Sequence, residues 1–255
     1  MQGIFDSHAH YNDERFAEDR DTLLPQIHSN GVSHILNAGC DIPSSMDGIR
    51  LAEQYPYVYT SVGIHPEEAD HIPENYLDTL AQLAKHPKVV AIGEIGLDYH
   101  YENANTAVQH EIFRQQLDLA DQLDLPVIIH SRDATQDTIN VLKSRRNHCG
   151  VLHCFSGSAD TAQIYLKMGY YIGFTGVVTF SNAKKAVEAA KTIPLDRILL
   201  ETDCPYMAPV PFRGKRCTSD MIAHTAAKIA EIKEISPQQM VDIARENTCR
   251  LFGIK

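Results

Sequence analysis

The sequence lacks the features that mark a membrane or secreted protein. No stretch approaches the roughly 20 consecutive apolar residues that a membrane-spanning helix needs, and residues 1–10 have neither a basic start nor an apolar run. The six cysteines are scattered without a C-x-x-C spacing, a pattern typical of reduced thiols rather than of a disulfide framework. We therefore expect a cytoplasmic chain that has no membrane partner.

An excess of basic residues is also missing, since the formal net charge is -10 at pH 7. This charge argues against a broad basic surface that would bind duplex DNA through many phosphate contacts. Any phosphate must instead be held locally. Bound divalent cations could do this, because they concentrate positive charge at one point of an acidic protein.

No low-complexity segment, long Gly/Ser linker or block of charge divides the chain. Its 255 residues, of which 44% are hydrophobic, suffice for the core of one (β/α)8 barrel. We therefore predict a single domain over residues 1–255.

Short β-rich apolar runs alternate with segments of helical spacing along this domain. The candidate strands are Ile4-Phe5, Ser33 to Leu36, Tyr57 to Val62, Val89 to Ile92, Pro126 to Ile129, Gly150 to Leu152, Tyr170 to Phe174 and Arg197 to Leu200. This alternation predicts parallel β-α-β units. The predicted fold is an α/β single TIM barrel with C-terminal closing helices, and a doubly wound open sheet is the alternative.

The clearest helical pattern runs from Thr106 to Leu123, with its apolar side chains on one stripe. The first helix carries Pro25, which predicts that this helix begins after Asp21 or kinks at the proline. Beyond the last strand we expect a loop and two helices that close the outer ring: Pro205 to Arg216, Ser219 to Glu234 and Pro237 to Phe252.

Polar side chains that can bind metals follow the predicted strands. Asp6, His8 and His10 end the first strand, and the alternation of side chains predicts that all three point the same way. Because the C-terminal ends of barrel strands meet at one mouth, side chains at those ends are expected to share a site. Imidazole and carboxylate groups suit Zn²⁺ or Mn²⁺, so the pattern predicts a metal centre. The corresponding residues after other strands are His65, Glu94, His130, His153 and Asp203.

Two other reactive residue types are assigned no chemistry. Cys154 and Cys204 each directly follow a predicted metal-binding residue, so strand alternation turns them away from the mouth. Ser156 lacks the glycine two positions earlier that a nucleophile elbow requires, which argues against a Ser-His-Asp hydrolase.

Short motifs are spread over nearly the whole chain: Phe5-Asp6-Ser7-His8-Ala9-His10, Gly63-Ile64-His65-Pro66, Gly93-Glu94-Ile95-Gly96-Leu97-Asp98, His130-Ser131-Arg132, His153-Cys154-Phe155-Ser156-Gly157 and Glu201-Thr202-Asp203-Cys204-Pro205. Together they resemble the TatD family of metal-dependent deoxyribonucleases, within the amidohydrolase-like barrels. Many related amidohydrolases use a carbamylated lysine as a bridge, but the fourth strand offers Glu94 and no lysine near its end. The resemblance implies two metal sites with Glu94 as the bridge: one formed by His8, His10 and Asp203, the other by His130 and His153.

A pair of divalent cations is expected to activate water for attack on phosphorus. We assign catalytic roles to Asp203, as the proton acceptor, and to Glu94. His65 and Glu201 are expected to orient ligands or phosphate through hydrogen bonds, and Asp6 and Asp98 are weaker candidates.

A basic loop beyond the last strand could hold a phosphate beside the metals through Arg213, Lys215 and Arg216. A solvated surface loop is the alternative. The family often continues with Asn-Glu-Pro at this point, whereas this chain reads Cys217-Thr218-Ser219, which puts substrate contacts from the loop in doubt.

We therefore predict a monomeric metal-dependent deoxyribonuclease that binds two divalent cations (Mg²⁺, Mn²⁺ or Zn²⁺) and has DNA as its substrate. A recessed mouth admits single strands or ends more readily than intact duplex, so exonucleolytic cleavage is expected. The alternative is hydrolysis of a small amide, lactone or phosphoester by the same metals. A non-enzymatic binding module is a third possibility, against which the complete set of metal-binding residues argues.

Overall fold

The computed structural model describes residues 1–102, 104–145 and 149–255. In these residues one sheet of eight parallel strands follows the chain order. The strands are β1 (Ile4–Ala9), β2 (Val32–Asn37), β3 (Val58–Val62), β4 (Val89–Asp98), β5 (Val127–Arg132), β6 (Gly150–Leu152), β7 (Tyr171–Phe174) and β8 (Ile198–Leu200). The α-helices are α1 (Arg20–Ser29), α2 (Ile42–Gln54), α3 (Tyr76–Leu83), α4 (Thr106–Leu123), α5 (Thr135–Lys143), α6 (Ala159–Lys167), α7 (Lys184–Thr192), α8 (Ile222–Lys233) and α9 (Pro237–Phe252). Within the described ranges, no helix combines the length and apolar character that crossing a membrane requires.

The sheet closes between its first and last strands. Ala9 pairs in parallel with Cys204, just beyond β8. The His10 N–H donates to the Cys204 carbonyl over 2.8 Å, and the Asp203 N–H donates to the His8 carbonyl over 2.9 Å. The predicted TIM barrel is confirmed, and these closing hydrogen bonds lie at the C-terminal ends of the strands, which we call the mouth.

Successive strand residues contribute to two apolar clusters. In β8, Leu199 packs with Phe5 and Val151 in the barrel interior, whereas its neighbours Ile198 and Leu200 join the core between the sheet and the helices. This division follows from the alternation of side chains along a strand.

The last helix covers the N-terminal end of the barrel. Phe252 of α9 belongs to the same apolar cluster as Leu199. The Asn247 side chain donates to the carbonyls of Leu195 and Ile198 over 2.8 and 2.9 Å, which ties α9 to the last strand. Packing of the C-terminal helix against the barrel supports the prediction of one domain over residues 1–255, which stays a prediction.

All eight predicted strands are present, but β4 and β5 are among those that extend well beyond their apolar runs. The predicted ends at Ile92 and Ile129 are wrong, because β4 continues to Asp98 and β5 to Arg132. The two extensions pair with each other as far as Asp98 and Arg132. The polar residues at the mouth continue the backbone pairing between β4 and β5. Hydrophobicity alone therefore underestimates the length of these strands.

Of the two alternatives for the first helix, a start after Asp21 is wrong, since α1 begins at Arg20, and a kink at Pro25 stays a prediction. The Leu23 N–H donates to the Asp19 carbonyl over 2.8 Å, so the first turn forms ahead of the proline. Pro25 lies inside the helix, where it removes one N–H donor without preventing the preceding turn.

Candidate metal centre

The mouth of the barrel holds six polar side chains close together. Backbone hydrogen bonds help to fix their positions: the Glu94 N–H donates to the Gly39 carbonyl over 2.7 Å, and the His153 N–H donates to the Ile129 carbonyl over 3.0 Å. We call these six residues the His-Glu-Asp cluster: His8, His10, Glu94, His130, His153 and Asp203.

Glu94 lies at the centre of the cluster and is almost fully buried. Its Oε2 is 3.2 Å from His8 Nε2 and 3.8 Å from His10 Nε2. Its Oε1 is 2.8 Å from His130 Nδ1 and 3.7 Å from His153 Nε2. One carboxylate therefore separates two groups of imidazoles and turns a different oxygen towards each.

A glycine two residues beyond Glu94 allows β4 to approach β5 closely. Gly96 has a φ of +151°, and a Cβ at this position would collide with the His130 carbonyl. Glycine is the residue that tolerates both this conformation and such close contact. The Gly-Glu-Ile-Gly motif thus contributes to the placement of Glu94 beside His130.

Asp203 completes the cluster from the segment after β8. Its Oδ1 is 3.3 Å from His10 Nε2 and 3.9 Å from the Nε2 atoms of both His8 and His153. Its side chain is 15% exposed, compared with 4% for Glu94, so it is the more accessible of the two carboxylates. Its φ of 61° is uncommon for a residue other than glycine, and such conformations concentrate at functional sites.

Contacts at the outer ring nitrogens orient two of the histidines. His10 Nδ1 lies 3.2 Å from the Ala38 carbonyl oxygen, which can only accept, so Nδ1 carries the proton. His153 Nδ1 lies 3.1 Å from Oε1 of Glu201, and the same oxygen accepts the Cys154 N–H over 2.5 Å. With Nδ1 protonated, a neutral ring turns the lone pair of Nε2 towards the cluster, as ligation of a metal through Nε2 requires.

The charges in the cluster depend on one another. Burial alone would raise the pKa of Glu94, but the His153 and His8 imidazoles outweigh it and hold that pKa well below its usual value. Burial lowers the pKa of His130 and His153, yet the adjacent carboxylates raise both to about 9. Protonated imidazoles therefore offset the buried carboxylates in the metal-free protein.

The cluster fits divalent cations for two reasons. The Nε2 atoms of His8 and His10 face each other at 3.1 Å, where two lone pairs repel unless a proton or a cation lies beside them. Ligand atoms of these two histidines and Glu94 also lie within 4.8 Å of one another. The second reason is charge, because carboxylates withdrawn from water need positive charge nearby. Four carboxylates contact the histidines: those of Glu94, Asp98, Glu201 and Asp203.

The prediction that Asp6 points the same way as His8 and His10 is wrong. The Asp6 carboxylate accepts hydrogen bonds from the Thr202 N–H over 3.0 Å and from the Ser219 hydroxyl over 2.7 Å. The pairing of β1 with β2 is irregular between Asp6 and the end of the strand, so strict alternation of side chains fails there.

The predicted orientation of Cys154 is wrong as well. Its thiol belongs to a group of ligand atoms, with His153 and Asp203, that lie within 4.8 Å of one another. Cys154 has a φ of 46°, so it lies outside the strand geometry on which the prediction depended. Cys154 and Cys204, like the other described cysteines, are not part of a disulfide bond.

His65 lies as close to Glu94 as one of the cluster histidines does. Its Nε2 is 3.7 Å from Glu94 Oε1, the same distance as for His153. Its Nδ1 accepts the Glu67 N–H over 3.2 Å, which places the proton of the neutral ring on Nε2. Burial, aided by the His130 imidazole, lowers the pKa of His65 to about 3, so the ring is neutral and can donate from Nε2 into the mouth.

Two further residues are closer to the cluster than the sequence indicated. Asp98 Oδ2 is 2.9 Å from His130 Nε2, so this histidine lies between two carboxylates. Cys40 Sγ is 3.8 Å from His10 Nδ1. The even spacing of Asp98 from Glu94 along β4 could have given Asp98 more weight, whereas no pattern in the sequence marks Cys40.

The two arginines of the predicted phosphate loop contact residues outside the cluster. Arg216 forms an ion pair with Asp19, at 2.9 Å between Nη1 and Oδ1. The Arg213 guanidinium lies 4.4 Å from the centre of the Phe180 ring. In the described part of the chain, Arg213 and Arg216 form no hydrogen bond or ion pair with the His-Glu-Asp cluster.

This chain is similar in sequence and fold to metal-dependent hydrolases of one family. A family model described as TatD related DNase matches residues 5–253. The chain is 42% identical over 253 residues to the metal-dependent hydrolase YabD of Bacillus subtilis, with 98% of this chain and 99% of that protein covered. It is 32% identical over 258 residues to the 3'-5' ssDNA/RNA exonuclease TatD of Citrobacter rodentium, with 98% of each covered. A solved structure of YJJV, a TatD homolog from Escherichia coli K12, has a TM-score of 0.94 and 31% identity, covering 99% of this chain and 98% of that one.

Proposed function

This chain is a metal-dependent hydrolase that belongs to the TatD family, and on that basis we propose that it cleaves phosphodiester bonds of single-stranded DNA from an end. The observation that carries the proposal is the position of Glu94, whose two oxygens face different groups of imidazoles. A carboxylate in this position can hold two cations close together, as in other two-metal hydrolases.

The proposed ligands divide according to the oxygen of Glu94 that they face. The Oε2 side has His8 and His10, and the Oε1 side has His130 and His153. A site rich in imidazole favours Zn²⁺ or Mn²⁺ over Mg²⁺. When bound, the cations would supply Lewis acidity that lowers the pKa of a water and offsets charge on the phosphoryl oxygens. We assign the first cation to His8, His10 and Asp203, the second to His130 and His153, and Glu94 to both.

Asp203 accepts the proton of the attacking water in this proposal. Its carboxylate is more exposed than that of Glu94 and therefore more accessible to water and substrate. Burial would raise the pKa of Asp203, but the hydrogen bond from His10 and the surrounding imidazoles hold it below its usual value, so the group is ionised at neutral pH. His65, neutral and protonated at Nε2, is placed to donate to a substrate oxygen.

The proposed substrate follows from similarity and from charge. A relative at 32% identity is named a 3'-5' ssDNA/RNA exonuclease, which supports a nucleic acid with a free end. The net charge of -10 disfavours binding along the length of a duplex. A single-stranded end needs only local contacts at the mouth.

The test is hydrolysis by the purified full-length protein with Mg²⁺, Mn²⁺ or Zn²⁺, with and without a chelator. Labelled single-stranded DNA, duplex DNA, RNA and a small phosphodiester serve as substrates. We expect shortening of single-stranded DNA from one end, with loss of activity in chelator. Turnover of the small ester alone would contradict the nuclease assignment, and activity that survives chelation would contradict the metal assignment.

A further inference from the structure

A cavity of about 380 Å³ lies beside the mouth, between the segments that follow β6 and β7. Its volume is within the range of about 300–1,000 Å³ typical of pockets that bind small ligands. None of the six cluster residues lines it. Its walls include Ser156, Val177, Phe180, Asn182, Lys184 and Lys185.

The cavity walls come from segments that start at the mouth, after the C-terminal ends of β6 and β7. Ser156 in its wall lies three residues after His153 in the same loop. Val177 in the opposite segment lies two residues after Thr175, whose hydroxyl is 3.5 Å from Cys154 Sγ. The loops that form the cavity therefore begin beside the cluster, where a chain molecule held at the cluster would have its neighbouring unit.

The cavity concentrates positive charge on an otherwise acidic protein. Lys184 and Lys185 are exposed, and within the described residues neither ammonium forms an ion pair or a hydrogen bond. Lys191 on the same helix differs, because its ammonium is 2.6 Å from the Glu188 carboxylate. Arg213 adds a third cation over the Phe180 ring. In the described part of the chain no carboxylate pairs with Lys184, Lys185 or Arg213, so their charges are available to an anionic ligand.

The start of α7 also favours an anion. The residue at its N-cap, Ala183, provides no side-chain hydrogen bond to the first turn. Lys184 and Lys185 stand in that turn, where the positive end of the helix dipole disfavours cations. Both features weaken the helix in isolation. An anion held by the same lysines and by the first backbone N–H groups would offset both costs.

Phe180 supplies an aromatic surface between these cations. Its side chain is partly exposed in the cavity wall, with Arg213 stacked on the ring. Aromatic rings beside a basic groove are characteristic of sites for single-stranded nucleic acid, because bases stack on the rings while phosphates contact the cations.

We propose that this cavity binds the nucleotide next to the scissile phosphate of a single-stranded substrate, with its base on Phe180 and its phosphate on Lys184 and Lys185. The inference rests on the proposed nuclease function, because only a nucleic acid substrate has a second nucleotide that could bind in the cavity. A small ester that fits the cluster alone would not reach the cavity.

The test is equilibrium binding of a fluorescein-labelled oligothymidylate decamer to the full chain in EDTA, where metal-dependent cleavage is prevented. Changing Lys184→Ala and Lys185→Ala together is expected to weaken binding and to reduce the slope of log affinity against log salt by about 0.7, the value for one neutralised phosphate of a single strand. Phe180→Ala is expected to weaken binding by about ten-fold and to leave the slope unchanged, because it removes stacking alone.

The matched control changes Lys167→Ala and Lys191→Ala, which removes the same charge from exposed positions outside the cavity. This control is expected to keep the wild-type salt slope. Identical affinity and slope in the wild type and the cavity variants would overturn the inference. Equal weakening by the control pair would do so too, because net charge alone would then explain the effect. Competition by inorganic phosphate as strong as that by the unlabelled decamer would reduce the cavity to a simple anion site and would also overturn it.

Cleavage assays on the same variants separate this inference from the proposed function. If the protein binds the decamer through the cavity but cleaves no nucleic acid with any metal, the cavity assignment is supported and the proposed nuclease function is contradicted. If the variants with the lysine or phenylalanine substitutions cleave single-stranded DNA with unchanged KM, the nuclease function is supported and the cavity assignment is contradicted.

Discussion

At the N-terminal ends of the strands the barrel interior is filled by apolar side chains, whereas at the C-terminal ends it is filled by imidazoles and carboxylates. Leu199 and Asp203 show the contrast within one segment. Leu199 is fully buried in an apolar cluster with Phe5 and Val151. Asp203, four residues later, contacts three histidines at the mouth. The same strands therefore contribute stability at one end and chemistry at the other.

Substitutions at the two ends of the barrel should therefore differ in their effects on stability and activity. An apolar residue at the closed end contributes through its removal from water and through packing. A polar residue at the mouth loses its hydration. The free-energy cost of this loss is offset only when hydrogen bonds or ion pairs replace the lost water. A change at the mouth should therefore reduce activity more than stability, and a change at the closed end should do the reverse.

The largest effect is expected at the mouth. Asp203→Asn keeps the shape of the side chain but removes the carboxylate that accepts a proton, so turnover of single-stranded DNA should fall by about 10³-fold or more. The melting temperature should change little. Steady-state kinetics, metal analysis and thermal unfolding of the same sample test this, and near-normal turnover with the fold intact would remove Asp203 from the proposed role.

The opposite behaviour is expected at the closed end of the barrel. Leu199→Ala leaves a cavity in a fully buried cluster and should lower the free energy of unfolding by about 2–5 kcal/mol. The rate per folded molecule should stay at the wild-type value, because the change lies away from the mouth. Denaturant titration together with activity at low temperature measures both. A large loss of activity in the folded variant would mean that the two ends are not independent.

A smaller effect is expected one layer behind the cluster. Glu201 Oε1 lies 3.1 Å from His153 Nδ1, so Glu201→Gln should loosen the orientation of this ring and remove a negative charge that favours cations. We expect metal affinity to fall by about 10–100-fold. Competition with a chromogenic chelator measures this, and Asp196→Asn, at an exposed carboxylate, is the control. Unchanged affinity in Glu201→Gln would limit this residue to a structural role.

The smallest effect concerns pH. In the metal-free protein His130 and His153 have pKa values of about 9, above the ordinary 6.5, so the folded state holds protons that the unfolded state releases. Their contribution to stability is therefore complete below pH 6.5 and is lost as pH rises through 9. We expect the melting temperature in EDTA to fall over this interval, by about 2–4 °C for each kcal/mol lost.

Bound Mn²⁺ should reverse this trend, because ligation requires unprotonated imidazoles and the gain in stability from the metal increases with pH. Thermal unfolding in EDTA and in Mn²⁺ at several pH values makes the comparison. A melting temperature in EDTA that increases between pH 6.5 and 9 would show that the carboxylates do not hold His130 and His153 protonated.

The sequence predicted those parts of the fold and site that depend on regular strand geometry. Glu94, His130 and His153 could be proposed from the sequence because each follows a short apolar run and the topology of a barrel brings such positions together. The order of all eight strands followed from the alternation of helical and β patterns. Each of these predictions used only local periodicity and one rule of architecture.

The errors occur where the backbone departs from regular geometry. Asp6 points away from the cluster because of an irregularity in the pairing of β1 and β2, and Cys154 faces the cluster because its φ is positive. Neither departure can be read from residue type, since both depend on hydrogen bonds made by distant segments. The same holds for Arg216, whose partner Asp19 is far away in the sequence.

The hydrogen bonds that close the sheet join His8 and His10 to Asp203 and Cys204, and so connect the first strand to the last. A growing polypeptide presents the two histidines long before the aspartate has been synthesised. The proposed cage for the ions is therefore complete only when the ring of strands is complete. If this cage holds the ions as proposed, their loading would be a late event in the maturation of the protein and would stabilise the closed barrel.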